Sequence, residues 1–171
     1  MAKYIYENEN WTDFSWRDKA INVAFGEVRL MQGKIIGQMN ALGFSAKEEA
    51  TLTALTLDVV KSSEIEGELL NYDQVRSSIA RRLGINTAGL VSSSRHIEGV
   101  VEMMLDATQQ YTLPLTEKRL FGWHAALFPT GYSGPYLIEV GRYRTGEMQV
   151  VSGAMGKEKV HYKAVKPELV K

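Results

Sequence analysis

The stretch Ser62-Ser63-Glu64-Ile65-Glu66-Gly67-Glu68 crowds three carboxylates into the end of a segment that otherwise favours helix. A helix C-terminus carries partial negative charge, so each acid placed there costs about 0.3 kcal/mol or more. Spacing of three and four residues puts Val59, Ser62 and Glu66 on one face, with Leu69 added if the turn continues. Glu64 and Glu68 fall on another face beside Lys61. Glu66 is then a carboxylate on a partly apolar stripe, tolerated where a cation or hydrogen bonds meet it. The plain alternative is a solvated acidic helix end.

Two further groups could do chemistry. Arg142-Tyr143-Arg144-Thr145 sets two guanidinium groups beside a turn, suited to phosphate or carboxylate and equally suited to clamping a helix end. His124 sits beside Trp123 on an aromatic helix, where a histidine is more often a satisfied boundary residue than a base. His96, His124 and His161 are far apart and show no metal-ligand spacing, and no nucleophile–base–carboxylate set accompanies them. No phosphate loop of the form GxxxxGK[ST] or GxGxxG occurs. Cysteine is absent, which removes disulfides, thiol nucleophiles and thiolate metal sites.

These groups need a scaffold, and 171 residues suit one domain or two small ones sharing a core. Hydrophobic residues at 44% and charged residues at 23% belong to a chain that folds. Twenty basic residues balance twenty acidic ones, so no overall basic field exists to hold nucleic acid or an anionic membrane. That balance disfavours a helix-turn-helix nucleic-acid binder using Arg76, Arg81 and Arg82. The N-terminus lacks a signal-peptide core and no apolar run reaches membrane-spanning length, so a cytoplasmic location is expected.

Helical periodicity predicts a first helix over 16–42, capped by Asp13 or Ser15 and stopped by Gly43. Ser45-Ala46-Lys47-Glu48 reads as a capping box that opens a second helix near Ala46, running into the acidic segment. Asn71 caps a third through Val75, Ile79 and Leu83, ended by Gly84. Residues 84–94 read as a surface connection, followed by helices over 95–111 and from Thr116-Glu117 to Phe128. Beyond Pro129 glycines break the pattern, and two β-prone runs, 148–152 and 159–165, flank a glycine-bearing loop as a hairpin. The expected fold is therefore mainly α, with a small β-hairpin. The domain division is 1–84, an N-terminal helical domain holding the 62–67 segment, and 85–171.

Taken together, these segments resemble the Fic family of protein adenylyltransferases over nearly the whole chain. Ser62, Glu66 and Gly67 match that family's inhibitory pattern [ST]xxxE[GN]. Leu115 to Phe128, with Trp123-His124, looks like the early Fic helix, and Gly141-Arg142-Tyr143-Arg144-Thr145 is similar to the lead-in to the flap. Gln149-Val150-Val151 and Val160-His161-Tyr162 look like the two flap strands. Residues 4–81 resemble the helical domain of unknown function that precedes Fic cores in many bacterial proteins.

The resemblance implies an incomplete Fic-like bundle with a hairpin flap, and an activity that moves AMP from ATP, with Mg²⁺, to a hydroxyl side chain of a target protein. Glu66 would pair with an arginine and deny ATP its γ-phosphate contact, while Ser62 and Gly67 shape the helix end. Gln149, Val150, Val151, Val160 and His161 would dock the target, and Arg142 and Arg144 would serve structure or phosphate. The catalytic signature HPFx[DE]GN[GK]R does not occur in these residues. The expectation is that the chain stops before it, contains no catalytic residue or metal ligand, holds no tight cofactor and is inactive alone. A homodimer is one way to cover the apolar face of an incomplete core. The rival reading is a non-catalytic helical module for protein–protein interaction.

Overall fold

A computed structural model of the chain describes residues 3–86 and 88–170. It is mainly helical: α1 (Asp18–Asn40), α2 (Phe44–Ile65), α3 (Tyr72–Leu83), α4 (Arg95–Gln109) and α5 (Glu117–Leu127). Two antiparallel hairpins follow, β1 (Tyr132–Ser133) with β2 (Tyr136–Leu137), and β3 (Gln149–Ser152) with β4 (Lys159–Lys163). Two compact units form, one from residues up to 33 with those from 143 onward, the other from 34–142. These unit boundaries fall within α1 and after Arg142, and position 84/85 lies inside the second unit.

Local sequence places most helix ends. Asn71 Oδ1 accepts the Gln74 N–H at 3.0 Å, Ser94 Oγ accepts from Ile97 at 3.3 Å, and Thr116 Oγ1 accepts from Arg119 at 3.2 Å. Gly84, at φ 67°, closes α3 in the left-handed conformation a side chain would resist. Two starts differ from the sequence reading. The first helix opens at Asp18, whose carboxylate takes the Trp16 indole N–H, rather than directly after Asp13 or Ser15. The second is capped by Gly43 rather than Ser45, because Gly43 is already extended and its carbonyl accepts from Lys47, which leaves Ser45 inside the first turn.

In the second unit the apolar stripes of α2, α3 and α4 meet. Leu52 and Val59, Val75 and Ile79, and Val101 are almost wholly buried, with Ile97, Val100 and Leu105 beside them. Thr56 is buried among them with its hydroxyl donating to the Leu52 carbonyl at 2.6 Å, so it brings no unpaired polar group into the core. The 84–94 connection, apart from residue 87, which lies outside the described residues, is tied to α3. Ser77 Oγ accepts the Val91 N–H and Arg81 donates to the Val91 carbonyl.

Charge closes α3 against α4. Arg81 and Arg82 both reach Glu98, Ser93 donates to it as well, and Arg82 extends to Glu102. Arg76 pairs with Glu49 of α2 at 2.8 Å, so all three arginines weighed for nucleic acid are engaged by carboxylates. Burial opposes the charge on Glu98, but Ser93, the Arg81 hydrogen bond and the Arg82 charge outweigh it and hold the carboxyl at about 2. Packing of α4 on α5 is closer still: a Cβ at Gly99 would lie 1.9 Å from the Ala126 carbonyl oxygen, so only glycine permits the crossing.

The short β1–β2 hairpin was not expected, because Gly131, Gly134 and Pro135 read only as helix breakers; Gly134, at φ 57°, makes its turn. No residue of α1 is buried. No helix among the described residues is long and apolar enough to cross a membrane.

Gly99→Ala is expected to lower stability by about 1–3 kcal/mol through forced separation of α4 and α5, read as a fall in the urea midpoint. Glu98 ionises below its ordinary 4.5, so its contribution is complete above that pH and is lost as pH falls toward about 2. Acid titration of unfolding should show Glu98→Gln with less loss of stability across that window than the parent.

Candidate functional site

The acidic segment ends α2 through paired backbone bonds. The Gly67 N–H donates to the Glu64 carbonyl at 3.0 Å and the Glu68 N–H to the Ser63 carbonyl at 2.9 Å, the doubled closure that an αL residue permits. Gly67 supplies it at φ 84°. The turn therefore does not continue to Leu69, which is exposed and leaves the face expected for it. Glu66 becomes the cap residue of α2, with Ser62 half-buried one turn earlier.

Beside this helix end, within the second unit, lies a cavity of about 500 Å³. Val100, Met103 and Met104 of α4 with Leu127 and Phe128 after α5 form apolar walls. Ser62, Ser63, Glu66, Glu68 and His96 form a polar rim. Within the rim, the His96 ring lies with its Nε2 3.8 Å from the Glu68 carboxylate. Lys61 pairs with Glu64 instead, so no cation among the described residues pairs with Glu66, which is exposed. An apolar chamber with acids at its mouth suits a group bearing both apolar surface and positive charge.

The other expected residues lie elsewhere. Arg142 pairs with Glu139 at 3.1 Å on the surface. Arg144 donates to the Gly146 carbonyl at 2.6 Å and to the Val165 carbonyl, so it clamps the base of the hairpin. Gln149, Val150 and Val151 lie on β3 and Val160 and His161 on β4, all exposed, with a bulge between Val150 and Val151. His161 lies 2.6 Å from the Ser152 hydroxyl across the hairpin. His124 is half-buried, accepts the Gly141 N–H on Nδ1 at 3.1 Å and meets Phe128 edge-on, as befits a satisfied boundary residue.

One constellation escaped sequence reasoning. Arg119 of α5 donates from Nε to Asp106 Oδ2 at 2.7 Å, and to the Asp106, Gln110 and Leu113 carbonyls at 2.8–3.0 Å. The Trp123 indole donates to the same Asp106 oxygen at 2.6 Å, and the guanidinium lies over the Trp123 ring. Arg119 and then Trp123 hold the Asp106 carboxyl below its usual range. The group staples the C-terminal end of α4 to α5, behind the cavity walls. Only a partner thirteen residues away explains Arg119, and helical periodicity carries no mark of it.

Residues 4–85 match a family described as a domain of unknown function, DUF4172. The match runs from the first described turn to the residue after Gly84, and so takes in the acidic end of α2 and the whole of α3. No curated protein matches the chain.

Gly67→Ala is expected to cost about 1–2 kcal/mol, because alanine resists the αL conformation that closes α2. Amide exchange at Glu66 to Leu69 should quicken while the buried amides of α3 stay protected.

Proposed function

We propose that this chain is the regulatory region and the first portion of the catalytic core of a self-inhibited Fic-type protein adenylyltransferase, which moves AMP from ATP to a hydroxyl side chain of a target protein. The observation that carries the reading is Glu66: an exposed carboxylate, held by a glycine-closed helix end, at the mouth of an apolar-walled cavity and unpaired by any cation among the described residues. An arginine reaching that mouth on an apolar element would form a charge-assisted pair with Glu66 and be withheld from phosphate. Ser62 shares the rim, and Gly67 closes the helix end that carries Glu66.

On this reading ATP and Mg²⁺ are bound with the help of the catalytic segment and not by these residues alone. The rim acids would repel a triphosphate, and no group of three or more potential metal ligands occurs among the described residues. The base, the metal-binding carboxylate and the phosphate cradle belong, on this reading, to a HPFx[DE]GN[GK]R segment outside these residues, and the chain alone transfers no AMP. The β3–β4 hairpin fits the target-docking role by offering an exposed edge to an extended segment, which would be held through backbone bonds. A homodimer and a cytoplasmic setting remain part of the proposal.

A second reading, a non-catalytic helical module for protein–protein interaction, is favoured by α1. It exposes Phe25, Val28, Met31 and Ile35 along its length.

In the protein that carries this chain together with the catalytic segment, Glu66→Gly should raise auto-adenylylation from labelled ATP by about ten- to a hundredfold, the worth of one charge-assisted hydrogen bond. A folded Glu66→Gly protein with unchanged incorporation would refute the inhibitory role and leave the interaction module as the better account.

A further inference from the structure

A two-stranded hairpin is marginal in water, and every residue of β3 and β4 is exposed, so something outside the strands must keep this one ordered. Within the first unit, the residues at the start of the chain do so. Tyr4 and Tyr6 stack on each other with ring centres 5.6 Å apart. Both meet Tyr162 of β4 edge-to-face, at 5.1 and 6.2 Å. The Tyr6 hydroxyl donates to the Lys163 carbonyl at 2.7 Å. Glu7 shapes the turn that presents the rings, its carboxylate accepting the N–H of Tyr4 at 3.1 Å and of Lys3 at 2.5 Å.

Strand register shows which edge this contact covers. The Ala164 N–H donates to the Met148 carbonyl, so Met148 and Ala164 form an inward, hydrogen-bonded pair. The neighbouring pair, Gln149 and Lys163, must then turn its backbone groups outward, away from the partner strand. Lys163 lies on the outer edge of β4 and its carbonyl is taken by Tyr6. Gln149 lies on the outer edge of β3, where no backbone hydrogen bond from a described residue outside the hairpin reaches it.

We propose that residues 4–7 are a strap that seals the outer edge of β4 and orders the hairpin, leaving β3 as the edge that stays open among the described residues. The strap is independent of any chemistry at Glu66. That β3 then receives the added strand of a target rests on the transferase reading. A sealed edge also protects a short exposed hairpin from pairing on both sides with other chains. The strap lies within the stretch matched to DUF4172 and the hairpin lies outside it, so the contact joins the matched domain's first residues to the later recognition element.

Hydrogen exchange on the whole chain tests this. Tyr6→Phe keeps the ring and removes only the hydroxyl bond, and should speed exchange across Val160 to Lys163 about fivefold. Tyr4→Ala with Tyr6→Ala also removes the ring contacts and should speed it about thirtyfold or more. Tyr162→Ala should reciprocally free the amides of residues 5–8, and the buried amides of α3 and α4 should be unaffected in all three. Unchanged exchange in β4 for both the Tyr6→Phe and the double variant would overturn the strap, whatever the outcome at Glu66. Faster exchange in β4 with unchanged auto-adenylylation in Glu66→Gly would keep the strap and remove the transferase reading.

Discussion

The contact between Gly99 and the Ala126 carbonyl sets how close α4 comes to α5, and most of the second unit follows from it. With no Cβ in the way, the two helices approach backbone to backbone. That places Leu127 and Phe128 opposite Val100, Met103 and Met104, and the space between them is the cavity. The same approach brings Arg119 and Trp123 within reach of Asp106 and of the last carbonyls of α4. A larger residue at 99 would wedge the pair apart, and wall and staple would loosen together.

Against that frame, the charges of the second unit divide into two kinds. Arg76, Arg81, Arg82 and Arg119 each hold a carboxylate on a neighbouring helix, and their long stems fill the seams between elements. The acids at the end of α2 are different. Glu64 has Lys61 and Glu68 has the His96 ring at 3.8 Å, while Glu66 sits at a helix end whose own partial charge is negative. A carboxylate so placed gains nothing from the partial charge of the helix end, and it stands at an apolar mouth.

The first unit obeys another logic. Its hairpin has no buried residue and depends on clamps: Arg144 at its base, and the tyrosines of the opening segment along β4. A hairpin held this way can stay ordered and still offer one strand edge to solvent. The register shift between Val150 and Val151 leaves His161 as the extra residue of β4 and adds local twist, and the His161 ring lies 2.6 Å from the Ser152 hydroxyl.

Helical periodicity and capping chemistry made α3, α4 and α5 legible to within a residue or two, because Asn71, Ser94, Thr116 and Gly84 act on backbone groups a few positions away. Gly67 as the end of α2, the β3–β4 hairpin and the structural duty of His124 were legible for the same local reason. Ser45 misled, since a glycine two residues earlier could begin the helix as well. Arg142 and Arg144, left between phosphate contact and clamp, are held by Glu139 and by hairpin carbonyls, partners that no spacing rule names. The sequence by itself determined where the chain turns, which faces are apolar and that Glu66 ends a helix. Only the tertiary structure decided that Glu66 borders a cavity, that Arg119 closes α4 and that Tyr6 reaches Lys163. Those contacts join residues far apart along the chain, and distance through space is a quantity that local propensity does not encode.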